Sequence, residues 1–134
     1  MRRRRLSGFT LIELLVVMAI ISILATIAIP QMMKAPIRAK EAVLSEDLFT
    51  MRQCIDQYYA DKGHYPASID VLKQDKYIRK IPIDPFTKSA DTWVPVMEEP
   101  DTSSDTPSTE PPGLVDVHSG SNLIALDGTP YNTW

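Results

Sequence analysis

Residues Phe9–Ile29 hold 17 apolar side chains in 21 positions, and one of the four exceptions is a carboxylate, Glu13. A helix of that length rises about 32 Å, close to the ~30 Å hydrocarbon core of a bilayer. Pro30 follows at once and is expected to kink or interrupt the helix. Arg2, Arg3, Arg4 and Arg5 precede the block. Beside an apolar span such a run reads as the cytoplasmic flank of a membrane segment rather than a nucleic-acid patch. After Gly8 the chain has 10 basic against 17 acidic side chains, net −7. An acidic body lacks the basic footprint that nucleic acid requires.

A secretory signal peptide is the competing reading of this segment. Its apolar region usually spans about 7–15 residues, followed by an A-x-A cleavage pattern. The run here is longer, no A-x-A occurs between Ala19 and Pro30, and Glu13 lies inside it. A carboxylate within the membrane costs roughly 2.5–3.5 kcal/mol on the insertion scale, so such residues normally have a partner. No Lys, Arg or His lies between Phe9 and Ile29. Cleavage between Gly8 and Phe9 would create an α-amino group able to pair with Glu13 of a neighbouring chain. The alternative is a Glu tolerated near the interface by snorkelling or protonation.

Arg2–Gly8 followed by Phe9-Thr10-Leu11-Ile12-Glu13 and a long apolar run resembles the leader and cleavage site of type IV pilins and type II secretion pseudopilins. The resemblance implies three segments: a leader at 1–8, a membrane and filament-core helix at 9–29, and a periplasmic head at 30–134. It implies cleavage after Gly8 by a prepilin peptidase, N-methylation of Phe9, and pairing of Glu13 with the amine of an adjacent subunit. It also implies a single-pass inner-membrane precursor, raised by an assembly ATPase and a membrane platform into a homopolymer joined by minor pseudopilins.

Past the membrane block, Leu44, Leu48, Met51, Ile55 and Tyr58 recur at spacings of 4, 3, 4 and 3, the stripe of an amphipathic helix. The helix is expected to run from about Thr10 to Lys62, disturbed at Pro30 and Pro36, with Gly63 as its stop. Arg52 and Asp56 are placed to pair at i,i+4. Tyr58 and Tyr59 are expected in the core, and Cys54 is expected as a small core or groove residue. Ser68 is a candidate N-cap for a short helix at Ile69–Leu72. Pro82 and Pro85 favour an extended connection. Thr92–Met97 reads as a strand, with Pro95 at an edge or bulge. Leu114–Val117 and Leu123–Leu126 read as an antiparallel hairpin. Glu98–Pro112 contains only Pro, acidic and Ser/Thr residues. Such a segment cannot offset its ordering entropy by burial and is expected as an exposed loop. The fold class is therefore α+β: one long helix, half transmembrane and half amphipathic, packed on a small antiparallel sheet.

Gly63-His64-Tyr65-Pro66, Tyr77-Ile78, Ile81-Pro82-Ile83-Asp84-Pro85-Phe86, Val115–Ser119 and Trp134 occur in the order found in major pseudopilins. The resemblance thus narrows to that branch, with the major subunit of a type IV pilus or related surface fibre as the alternative. Major pseudopilins commonly bind calcium in the C-terminal loop through clustered Asp side chains. Here Asp127 is the only carboxylate after Asp116. Ca²⁺ takes 6–8 oxygen ligands, so Ser119 and Asp127 are weak candidates. The loop is expected to be held by the Gly128 turn and by Tyr131 and Trp134. No cofactor is expected. One cysteine and two histidines 54 positions apart, without a phosphate loop or metal motif, speak against an enzyme.

Overall fold

The computed structural model describes residues 8–99 and 112–134. Arg2–Arg5 and nearly all of the Glu98–Pro112 segment lie outside the described residues. Helix α1 spans Leu11–Lys62, and two compact units divide the chain after Ile37.

In the first unit α1 presents its apolar side chains outward on every face; between Phe9 and Ile29 only Ala25 is half-buried. The segment is long and apolar enough to cross a membrane. Of the kink or interruption expected at Pro30, the interruption does not occur: α1 continues through both Pro30 and Pro36. Each proline removes the N–H that would bond four residues back, so one ladder bond is lost at Thr26 and one at Met32. The fixed φ of proline is itself helical, and intact turns on both sides carry the helix across.

In the second unit α1 buries one face. Leu44, Leu48, Met51, Ile55 and Tyr58 are all buried, as their spacing requires. They meet Leu72, Trp93, Leu114, Val117, Ala125 and Tyr131 in a single core. Each large aliphatic removed from water there contributes about 1.5–3 kcal/mol. Tyr59 departs from expectation. It is 46% exposed and stacks on Tyr65, because it lies about 100° around the helix from Tyr58. The helix ends where Gly63 turns to φ +78° and donates its N–H to the Tyr59 carbonyl at 2.8 Å, closing the last turn.

Helix α2, Ile69–Gln74, follows Ser68, which occupies the N-cap position without a side-chain cap bond. The chain then runs without helix or strand to β1, Val94–Met97, which pairs antiparallel with β2, Leu114–His118. Val94 faces His118 and Met97 faces Leu114, with an irregularity between Val96 and Met97. Pro95 is tolerated because each strand of a two-stranded sheet has a free edge.

The hairpin expected between Leu114–Val117 and Leu123–Leu126 is not formed. β2 pairs with β1, and Leu123–Leu126 contributes only a bridge from Ile124 to Pro130. The polar stretch between them explains the change. Ser119 is buried against Asp84, and Gly120 lies so close to Thr92 that a Cβ there would come within 2.0 Å of its carbonyl oxygen. This docking leads the chain away from β2 before a second ladder can start.

Asp84 anchors that docking. It is fully buried, accepts from Ser119 Oγ at 2.5 Å, and accepts the Phe86 and Thr87 N–H groups at 2.8 and 3.2 Å. Burial, and then the charges of Asp84 and Glu46, push the carboxyl of Asp47 up. Asp84→Ala leaves three donors without an acceptor and is expected to cost about 3 kcal/mol. The check is guanidinium unfolding in detergent, with Asp84→Asn falling between. Wild-type stability in Asp84→Ala would show that the carboxylate holds nothing.

Candidate functional site

Gly8, Phe9 and Thr10 precede the first turn of α1 in non-helical conformation. Thr10 caps that turn: its Oγ1 accepts the Glu13 N–H at 3.3 Å and its carbonyl accepts the Leu14 N–H at 3.2 Å. Thr10 and Glu13 therefore have the spacing of a capping box. Thr10 was not singled out from the sequence, although Thr-x-x-Glu ahead of an apolar run is the signal for it. The backbone of Glu13 is thus satisfied within its own chain. Its side chain makes no hydrogen bond or ion pair among the described residues. The carboxylate stands in the first turn, where the helix dipole favours negative charge.

The other polar groups of the membrane segment are satisfied in place. Ser22 Oγ donates to the Met18 carbonyl and Thr26 Oγ1 to the Ser22 carbonyl, both at 2.8 Å. Such back-bonding meets the demand of a hydrocarbon surrounding, where no water completes a free donor. Glu13 is left as the one side chain of Phe9–Ile29 with chemistry to offer another molecule.

In the second unit, polar contacts stitch the C-terminal region to α1. Arg52 Nε donates to Asp116 Oδ1 at 2.6 Å and its Nη2 to the Val117 carbonyl at 3.2 Å. This replaces the expected pairing of Arg52 with Asp56: the strand offers a carboxylate and a carbonyl together. His118 Nδ1 is bonded to the main-chain oxygen of Trp134. Glu41 Oε1 accepts the Leu126 N–H at 2.8 Å and the Tyr131 hydroxyl at 2.9 Å. Tyr131 is buried, stacked on Phe86 and edge-on to Trp134. Together with the Gly128 N–H bond to the Ala125 carbonyl, these contacts hold the loop as expected. Cys54 is half-buried beside the core, and burial pushes its thiol up.

The two calcium candidates turn to different partners. Ser119 Oγ is spent on Asp84. Asp127 Oδ1 accepts the hydroxyl and the N–H of Thr129, which hold its carboxyl below the usual range. Among the described residues no three His, Cys, Asp or Glu side chains gather as a metal site.

A pattern described as the prokaryotic N-terminal methylation motif matches residues 3–29. Type II secretion system core protein G of Pseudomonas aeruginosa is 35% identical over 102 residues, 64% of this chain and 72% of that protein. The proteins of the same name from Klebsiella michiganensis and Aeromonas hydrophila are 31% and 30% identical over 102 residues. These alignments span 64% of this chain and 72% and 71% of theirs. No solved structure matches. A methylation-motif leader region, one long apolar-to-amphipathic helix and a small antiparallel sheet define a pilin-like protein with a single-pass membrane anchor. Within that class, the chain belongs to the family of type II secretion system core protein G.

Burial, then the bond to Glu41, push the Tyr131 phenol up to about 12. An unfolded tyrosine titrates near pH 10. The folded pKa is raised, so this contribution to stability is complete below about pH 10 and disappears as pH rises towards 12. Melting temperature is expected to fall more steeply between about pH 10 and 12 in the wild type than in Tyr131→Phe. Equal slopes would place Tyr131 outside the linkage.

Proposed function

We propose that this chain is the major pseudopilin of a type II secretion system, the repeating subunit of a helical fibre that drives folded proteins through an outer-membrane pore. The observation that carries the reading is Glu13: a carboxylate without a partner among the described residues, in the first turn of an otherwise self-satisfied apolar helix, five residues beyond Gly8. A carboxylate there is costly in lipid and becomes useful when a cation arrives. Cleavage after Gly8 supplies that cation as the Phe9 amine of the incoming subunit. Methylation of the amine keeps its charge.

The precursor stands in the inner membrane with its arginines inside and its head in the periplasm. A prepilin peptidase removes residues 1–8. An assembly ATPase and membrane platform then lift subunits, so that the Phe9–Ile29 helices leave lipid and pack as the core of a heterologous polymer. Minor pseudopilins join the same fibre. The chain acts as a structural part and not as an enzyme. Its C-terminal loop is held by Glu41, Tyr131 and the Gly128 turn, without calcium.

Two variants separate the steps. Gly8→Leu places a bulky side chain at the junction and is expected to accumulate only precursor. Glu13→Leu leaves the junction intact and favours insertion by roughly 3 kcal/mol. It is expected to mature normally yet lose sheared fibre and secretion, because the incoming amine enters an apolar core without a counter-ion. Glu13→Asp should fall between. Wild-type fibre yield from Glu13→Leu would falsify the pairing.

A further inference from the structure

The head carries charges that are not paired among its described residues. Lys73, Lys76, Arg79 and Lys80 supply four of the ten basic residues that follow Gly8. All four are exposed, and no described carboxylate forms an ion pair with any of them. Asp75, in their midst, pairs with Lys62 at 3.7 Å. Concentrated on a body of net negative charge, this segment is the natural counterpart of an acidic surface.

Such a surface exists on the same head. A cavity of about 420 Å³ opens between α2 and β1, with Ile69, Trp93, Pro95 and Met97 among its walls. Asp70 and Asp91 line it and are exposed. Neither carboxylate has a hydrogen-bond or ion-pair partner among the described residues. Apolar walls with two free carboxylates suit a side chain that has an apolar stem and a cationic head, which is a lysine or an arginine.

We propose that this cavity receives the Lys73–Lys80 segment of a second copy of the chain. Each head then offers both halves of the contact, and neither half is paired among the described residues. When the cavity of one copy takes the segment of a second and the cavity of the second takes that of a third, the contact is heterologous and propagates; a two-copy exchange would close instead. The proposal rests on the filament reading and deepens it by naming where neighbouring heads meet. Because the charges are exposed, the contact is sensitive to salt.

The test uses the full chain in membranes with its assembly machinery. Reversing Lys73, Lys76, Arg79 and Lys80 to Glu, or Asp70 and Asp91 to Lys, is expected to lower sheared-fibre yield about tenfold. Both reversals in one chain should restore it to near wild type. Restoration also shows that the reversed heads fold. Full yield from either reversal alone, or a combined chain no better than either, overturns the contact.

A second measurement does not depend on fibres. In a Cys54→Ser background, chains carrying Asp91→Cys are mixed with chains carrying Lys80→Cys and oxidised. A disulfide-linked dimer that requires both chains supports the contact, and its absence overturns it. Fibre loss in Glu13→Leu together with a persisting mixed dimer separates the core from the head contact. Chains carrying these cysteines but no other change that form the mixed dimer and yet give no fibre would count against the filament reading alone.

Discussion

One helical stripe carries the head. A two-stranded sheet is marginal by itself in water, and here it is the only sheet among the described residues. It persists because Leu114 and Val117 of β2 are pressed onto Leu44, Leu48, Met51, Ile55 and Tyr58 of α1. The remaining core members, Leu72, Trp93, Ala125 and Tyr131, come from separate short segments that touch the same stripe. Loss of that face would leave these pieces with nothing common to pack on.

Apolar packing supplies cohesion but little positional detail, and the polar contacts supply the detail. Asp84 fixes the turn at Phe86–Thr87 and captures Ser119 from 35 positions away. Arg52 reads β2 across 64 positions and Glu41 reads the C-terminal loop across 85 and 90. Each is a carboxylate or guanidinium meeting more than one partner, the arrangement in which charge-assisted bonds are strongest. The head is thus a set of short irregular segments pinned at a few places to one regular element.

What the sequence made legible follows from the range of the interactions involved. The helix stripe, the Gly63 stop, the Ser68 cap position and the Gly128 turn are local, and residue type with spacing suffices for them. The partner of β2 was not legible, because Thr92–Met97 and Leu123–Leu126 both have strand character. Buried contacts of Ser119 and Gly120 decide between them. The partner of Arg52 was misplaced for the same reason: Asp56 is near in sequence, whereas Asp116 is near only after the chain has folded. At the membrane end, Gly8, Phe9 and Glu13 were read from their pattern. Thr10 escaped notice although its signal lay within the same five residues.

The back-bonded hydroxyls of Ser22 and Thr26 have a consequence for recognition between helices. With both donors turned inward to their own backbone, a neighbouring helix alongside Phe9–Ile29 meets almost featureless hydrocarbon. Many sliding positions along such a surface are nearly equal in energy, since dispersion varies little from one aliphatic contact to the next. A lone carboxylate near one end breaks that degeneracy. Glu13 is the one mark along Phe9–Ile29 that distinguishes one sliding position from another, while the rest of the segment offers adhesion without measure.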